Sequence, residues 1–241
     1  AYVPLAVAPA RFERALAALA HMGFRGVNLT LPHKEAALGL CDEVAPLAQR
    51  IGAVNTLVFE DGRLKGDNTD AFGFLENLRQ GAPGWEPPSG PALVLGAGGA
   101  ARAVAVALLD AGVPEVRLAN RTAARAEALA RALDDRVAPV PWQSRGEALE
   151  GLALLVNTTS LGMTGQPALD LDLDPLPQEA LVSDIVYAPL ETPLIARARA
   201  RGNPAVDGLG MLLHQARPGF EAWYGVAPEV TAELRAFVLT A

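Results

Sequence analysis

An apolar run, Ala92-Leu93-Val94-Leu95, breaks into Gly96-Ala97-Gly98-Gly99-Ala100-Ala101-Arg102. A helix-like segment continues to Asp110, and a second apolar run over residues 116–119 stops at Asn120-Arg121-Thr122. Strand, glycine turn, helix, strand is the βαβ order that holds a dinucleotide, so this stretch commits the chain to parallel α/β layers. Gly96 allows the tight turn, and Gly98 lets backbone approach a pyrophosphate. Gly99 and Ala100 open a helix whose free N–H groups and positive dipole end favour phosphate charge, with Ala97 between the turn glycines. Ala101 stands at the third glycine of the G-x-G-x-x-G pattern, a tolerated small residue.

The end of the second strand chooses between nucleotides. An NAD site carries an acid about 20 residues on, where it binds the ribose hydroxyls. Here the strand ends in Asn120, Arg121 and Thr122, with Arg125 one turn later and no acid among them. A guanidinium offers forked donors to a 2′-phosphate that an acid would repel, which points to NADP. Glycines in an alanine-rich chain match such patterns by chance. Strand context on both sides and arginine at the selective position make this match more specific.

At 241 residues the chain fits one large domain or two small ones. Its net charge of −7 argues against a nucleic-acid surface, so an anionic cofactor needs arginines gathered locally, as Arg102, Arg121 and Arg125 would be. Cys41 is the only cysteine, which excludes an intramolecular disulfide and a cysteine metal site and suits a reducing cytoplasm. No apolar run reaches membrane-spanning length, and no signal peptide is visible. His21, His33 and His214 lack metal-ligand spacing, so no metal is expected. Eighteen arginines stand against two lysines, Lys34 and Lys65. Lysine can exchange a proton where arginine cannot, which draws attention to Lys34; Lys65, beside an Asp61-Gly62 turn, reads as a surface residue.

Patterning predicts a strand over residues 3–7, a helix over 9–22 and a strand over 26–29. Short helices follow over 35–40 and 46–50, then a hairpin over 54–66 turned at Asp61-Gly62 and a helix over 70–78. Residues 80–91, rich in proline and glycine, read as a linker that permits a hinge. Strand segments then recur at 93, 152–156, 180–186 and 204–206, before helices over 209–224 and 228–239. The expected organisation is a two-domain α/β chain. Residues 1–82 form a substrate domain, 90–206 a Rossmann-type NADP domain, and 207–241 helices returning to the first.

Three polar clusters sit where apolar runs of the first domain stop: Asn28-Leu29-Thr30-Leu31-Pro32-His33-Lys34, Gly52-Ala53-Val54-Asn55-Thr56 and Gly66-Asp67-Asn68-Thr69-Asp70. Ligands sit outside the carboxyl ends of strands in α/β sheets, and amides and hydroxyls suit a polyhydroxylated substrate. Lys34 and Asp70 can supply acid–base chemistry on an alcohol or carbonyl, with Asp70 also fit to cap a helix. His33 reads as a packing or hydrogen-bonding residue and Met211 as helix core.

These clusters, the segments Gly96–Arg102 and Asn120-Arg121-Thr122, and four later motifs occur in order. The later ones are Asn157-Thr158-Thr159-Ser160-Leu161-Gly162-Met163, Asp184-Ile185-Val186-Tyr187, Thr192-Pro193-Leu194, and Gly208-Leu209-Gly210-Met211-Leu212 with Gln215. Together they make the chain resemble a shikimate dehydrogenase from about Tyr2 to its end. The resemblance implies NADP-linked interconversion of shikimate and 3-dehydroshikimate, in the route to aromatic amino acids. It implies Lys34 as the acid–base residue and Asp70 as its partner, with substrate contacts from Thr30, Asn55, Asp70, Tyr187 and Gln215. NADP contacts would come from Gly96, Ala97, Gly98, Gly99, Ala100, Asn120, Arg121, Thr122, Arg125, Ile185 and Gly208, while Ser160 and Met163 line the nicotinamide side. Small-molecule substrates, a cytoplasmic location and no nucleic-acid or membrane partner are expected, and a homodimer is allowed.

Family members begin with a strand and a Ser-x-Ser segment that holds the substrate carboxylate. Tyr2 aligns after the family's first helix, so that strand and helix are expected ahead of Ala1 in the complete protein. The rivals are a broader quinate/shikimate dehydrogenase, a folate dehydrogenase of similar layout, and a protein that senses NADP without turnover.

Overall fold

Strand order shows how the glycine turn is used. The computed structural model describes residues 1–240, in two compact units: Ala1–Thr69 with Arg217–Pro228, and Asp70–Ala216 with Glu229–Ala241. The contact boundary thus falls at Thr69/Asp70, and the proline-rich stretch 80–91 lies inside the second unit.

In the first unit α1 (Phe12–His21) follows a single 3-10 turn at Pro9–Arg11, so the helix expected from residue 9 starts one turn later. Phe12, Leu16 and Leu19 line one face of α1 and are buried, the spacing of an amphipathic helix. The first two join Leu29, Ala37, Ala48, Val54 and Leu57 in the core. The sheet runs β1 (Gly26–Asn28), β3 (Thr56–Glu60), β4 (Arg63–Asp67), β2 (Glu43–Val44). The β3–β4 hairpin turns on Asp61 and Gly62 at φ 51° and 74°, the positive angles that a two-residue hairpin loop requires. Between β2 and β3, α2 (Pro46–Ile51) starts with proline and stops at left-handed Gly52. Residues 36–40 form a 3-10 helix rather than an α-helix.

Residues 3–7 form no strand, contrary to expectation. A strand needs ladder partners, and neither sheet includes this segment. At its end His33 Nε2 donates to the Val7 carbonyl at 2.9 Å, and just ahead of it the Tyr2 hydroxyl donates to Asn28 Oδ1 at 3.0 Å.

The second unit opens with α3 (Asp70–Gly81). It then alternates β5 (Ala92–Leu95), α4 (Gly99–Asp110), β6 (Val116–Asn120), α5 (Ala123–Leu133), β7 (Val137–Pro141), β8 (Leu154–Asn157) and β9 (Leu181–Asp184). It closes through α6 (Pro193–Arg201), β10 (Ala205–Val206), α7 (Leu209–Tyr224) and α8 (Ala232–Thr240), the end of α7 passing into the first unit. All six strands pair in parallel, in the order β10-β9-β8-β5-β6-β7. This is the doubly wound order: the chain leaves β5 one way to β6 and returns to its other side at β8, opening a crevice at their carboxyl ends. β5, β8 and β9 are buried along their length, as helices on both faces demand. Leu93, Leu95, Leu155 and Val182 pack on one face against Leu169, Leu171, Leu173 and the α6 residues Leu194 and Ala198. α4 buries Ala101, Val104 and Leu108, and α3 packs on it. Patterning missed α5, α6, β2 and β7. No helix among the described residues is long and apolar enough to cross a membrane.

Candidate functional site

The crevice beside β5 is built by glycines whose missing side chains have identifiable reasons. Gly96 follows β5 at φ +117°, and a Cβ there would lie 2.5 Å from Thr158 Oγ1. Thr158 closes the gap by donating its hydroxyl to the Leu95 carbonyl at 2.6 Å, and its N–H to the same oxygen at 2.9 Å. Gly98 precedes α4 with extended backbone, and a Cβ there would meet nothing within 4 Å. Gly98 therefore keeps open the space before a helix start that no side chain caps. Uncapped N–H groups and the positive dipole end suit a pyrophosphate. Gly208 is confined by the backbone: its Cβ would lie 2.2 Å from the Ile185 carbonyl.

The rim carries the charge. Asn120 ends β6 and donates to the Thr122 carbonyl at 2.9 Å, which shapes the turn into α5. Arg121 and Arg125 are exposed beside it. Buried Arg102 Nε, on the first turn of α4, has no hydrogen-bond partner. An open helix start, a confined glycine turn and an arginine rim without an acid fit NADP. Gly96, Ala97, Gly98, Gly99 and Ala100 would hold its pyrophosphate, and Arg121 and Arg125 its 2′-phosphate.

Beyond β8 and β9 lies a network that sequence reasoning passed over. Asp184 is fully buried, yet its carboxylate accepts from Asn157 Nδ2 at 3.0 Å, the Val186 N–H at 3.1 Å and the Thr192 hydroxyl at 2.7 Å. Burial pushes this carboxyl up to about 6, against the three hydrogen bonds that favour its charge. Asn157 Oδ1 in turn accepts from the Thr159 N–H and hydroxyl. The available signal was a polar residue ending each of two apolar strands, Asn157 and Asp184. Tyr187, three residues past Asp184, is half-exposed, and Ile185 is partly buried.

Asp70 and Gln215 both belong to the second unit. Asp70 is the first residue of α3 and is buried. One turn on, a Cβ at Gly73 would lie 2.7 Å from both the Cβ and the N of Gln215 and 2.8 Å from the Met211 carbonyl. A Cβ at Gly210 would lie 1.9 Å from Asn77 Oδ1. Two glycines thus let α3 and α7 cross closely, which sets Gln215 one helical turn from Asp70. Met211 is buried, as helix core should be.

The first unit holds the other polar groups. Asn55 is buried; its Nδ2 donates to Thr69 Oγ1 at 3.0 Å and its Oδ1 accepts from the Thr69 N–H at 2.8 Å. Asn28 Nδ2 donates to Thr56 Oγ1 at 3.2 Å, and Asn68 Nδ2 to the Ala53 carbonyl at 2.9 Å. This lattice fixes the strand ends beside which Thr30 is exposed and Lys34 half-buried. The Lys34 carbonyl accepts from the Val54 N–H at 2.8 Å. Lys65 is paired on the surface with Glu60 at 2.5 Å. His33 stacks on Phe12 with centroids 4.4 Å apart, a packing role. No group of three or more metal-ligating side chains occurs among the described residues.

Comparison with known proteins gives matches along the chain. Residues 1–57 match the family model for the shikimate dehydrogenase substrate binding domain, and residues 88–162 that for shikimate / quinate 5-dehydrogenase. A shikimate dehydrogenase (NADP(+)) of Paramagnetospirillum magneticum is 66% identical over 241 residues, covering 100% of this chain and 87% of that protein. A structure of shikimate 5-dehydrogenase from Thermus thermophilus, in complex with NADP(H) and shikimate, is 46% identical with a TM-score of 0.82, over 92% of this chain and 81% of that one. A quinate dehydrogenase of Corynebacterium glutamicum in complex with NAD is 35% identical with a TM-score of 0.88, over 95% of this chain and 82% of that one.

Proposed function

The chain belongs to the shikimate dehydrogenase family, and from that premise we propose that it is an NADP-dependent oxidoreductase interconverting 3-dehydroshikimate and shikimate, on the route to chorismate and the aromatic amino acids. The observation that carries the cofactor is the arginine rim without an acid beside an open helix start. NADPH, when bound, supplies the hydride.

The remaining work falls to side chains of the chain. In reduction Lys34, as ammonium, gives a proton to the carbonyl oxygen of the substrate; in oxidation, as amine, it takes the proton of the hydroxyl. Asp70 is assigned as the acid–base partner and as the holder of a substrate hydroxyl. Gln215, set one turn away by the Gly73 crossing, offers an amide to the same ring. Thr30 and Tyr187 supply further hydroxyl contacts. Asn55, which Thr69 holds in place, is assigned a substrate contact. We assign the substrate role to residues 1–82, the nucleotide role to 90–206, and a supporting role to 207–241 through Gln215. A cytoplasmic location accords with the single, unpaired cysteine, and light scattering tests for a homodimer.

One assay tests the reading: nicotinamide reduction with shikimate or quinate, each with NADP or NAD. Turnover is expected to be highest for shikimate with NADP. Preference for quinate with NAD would favour the second reading, which rests on the likeness to the quinate dehydrogenase. Binding of NADP with no turnover of either acid would mark a sensor.

A further inference from the structure

The Asp184 carboxylate has two kinds of partner. One arm, to Thr192, reaches the start of α6, where the Thr192 Oγ1 also accepts from the Ile195 N–H at 3.3 Å. That arm caps a helix. The other arm, to the Val186 N–H and to Asn157, reaches two loops at the carboxyl edge of the sheet. Val186 lies between Ile185 and Tyr187. Asn157 holds Thr159 through Oδ1 and donates to the Leu161 carbonyl at 3.1 Å. Thr158, next to Asn157, is the residue that fills the space at Gly96. The Gly208 N–H reaches the same edge, donating to the Val186 carbonyl at 3.2 Å. One buried carboxylate thus links the glycine turn after β5, the loop after β8 and the segment after β9.

We propose that Asp184 is a positioning residue: through Val186 and Asn157 it fixes the 185–187 segment and the 157–161 loop in the register that presents Ile185 and Tyr187 to the ligands. The inference rests on the function proposed above. A carboxylate suits the task because it accepts all three bonds at once and has no hydrogen to misdirect. Burial makes each bond costly to lose, so the two loops are held more tightly than surface loops of this length.

The test separates the two arms. Asp184→Ala removes both, whereas Thr192→Val removes the helix-capping arm alone. Both variants should melt at lower temperature. Asp184→Ala alone should lower kcat at saturating substrate, by roughly ten- to a hundredfold, the scale of a small misplacement of reacting groups. It alone should also speed amide hydrogen exchange in peptides covering 157–161 and 185–189, measured without any ligand. If Asp184→Ala does not fold, Asn157→Ala cuts the loop arm from its other end and should give the same kcat loss and faster exchange. Wild-type kcat with unchanged exchange in the loop-arm variant would overturn the proposal. So would equal losses in the Thr192 variant, because function would then follow stability. Failure of the wild-type enzyme to turn over shikimate would overturn the functional reading instead, and the exchange experiment would still decide on Asp184.

Discussion

At the scale of single residues, charge and proton transfer can be assigned separately. Arg121 is exposed at the rim and stands where an NAD site carries an acid. Arg121→Ala should weaken NADP by on the order of 1.5–3 kcal/mol, one charge-assisted contact, and leave NAD nearly unchanged. Calorimetric titration with both nucleotides checks this, and equal weakening would make Arg121 structural. Lys34→Met keeps the apolar stem and removes the proton carrier. Turnover should fall by about 10²–10⁴-fold, with a smaller change in the shikimate dissociation constant. A large rise in that constant with turnover intact at saturation would make Lys34 a binding residue. Asp184 gives a stability prediction whose sign follows from its carboxyl, which burial pushes up to about 6 from an ordinary 3.8. The folded state therefore holds a proton that the unfolded chain releases, and this group's contribution to stability rises as pH falls from above 6 toward 3.8. Relative to Asp184→Asn, the wild type should gain about 2 kcal/mol between pH 7 and 4.5 in urea unfolding. A pH-independent difference would count against a raised carboxyl.

Among elements, the informative contrast lies within one glycine turn. Gly96 is held by its positive φ and by Thr158, whereas Gly98 has extended backbone and open space where a Cβ would go. Gly98→Ala should leave the melting temperature nearly unchanged yet weaken NADP at least tenfold, because the new methyl occupies the approach to the α4 start. A stability loss as large as the binding loss would place Gly98 in the fold rather than the site. The elements that patterning misjudged have physical reasons. β7 carries Pro139 and Pro141 and so reads as a loop; it is tolerated because it is an edge strand, where missing N–H donors break no ladder. β2 is two residues long, too short for any period to register. Residues 3–7 have strand-like composition, and whether such a segment becomes a strand depends on a ladder partner that composition does not supply.

For the molecule as a whole, two compact units make cofactor-linked stability a local quantity. NADP at about 100 times its dissociation constant stabilises the state that binds it by roughly 2.7 kcal/mol. Amide protection should therefore rise in β5, β6, β8 and β9 and change little in β1–β4; equal gains in both units would mean that the nucleotide is not held by the second unit alone. The doubly wound layer, the β5 turn and the arginine rim were legible in the sequence, because each is written within one strand–turn–helix span where φ preference, helix dipole and charge act locally. The polar breaks at the ends of apolar runs were legible too, among them Lys34 and Asp70, whose acid–base role is a proposal. The partners of those breaks were not. Gly26 reads as an ordinary strand glycine until Trp223 lies across it and donates to the Leu57 carbonyl at 3.0 Å, from 166 residues away. Asp184 reads as one more acid until Asn157, 27 residues back, and Thr192 close around it. The sequence by itself determined what kind of layer forms and which nucleotide its edge prefers, since turn geometry and charge are properties of neighbouring residues. Only the tertiary structure decided which buried polar groups share a carboxylate and which helices cross on glycine, since close packing joins residues whose separation no local preference spans.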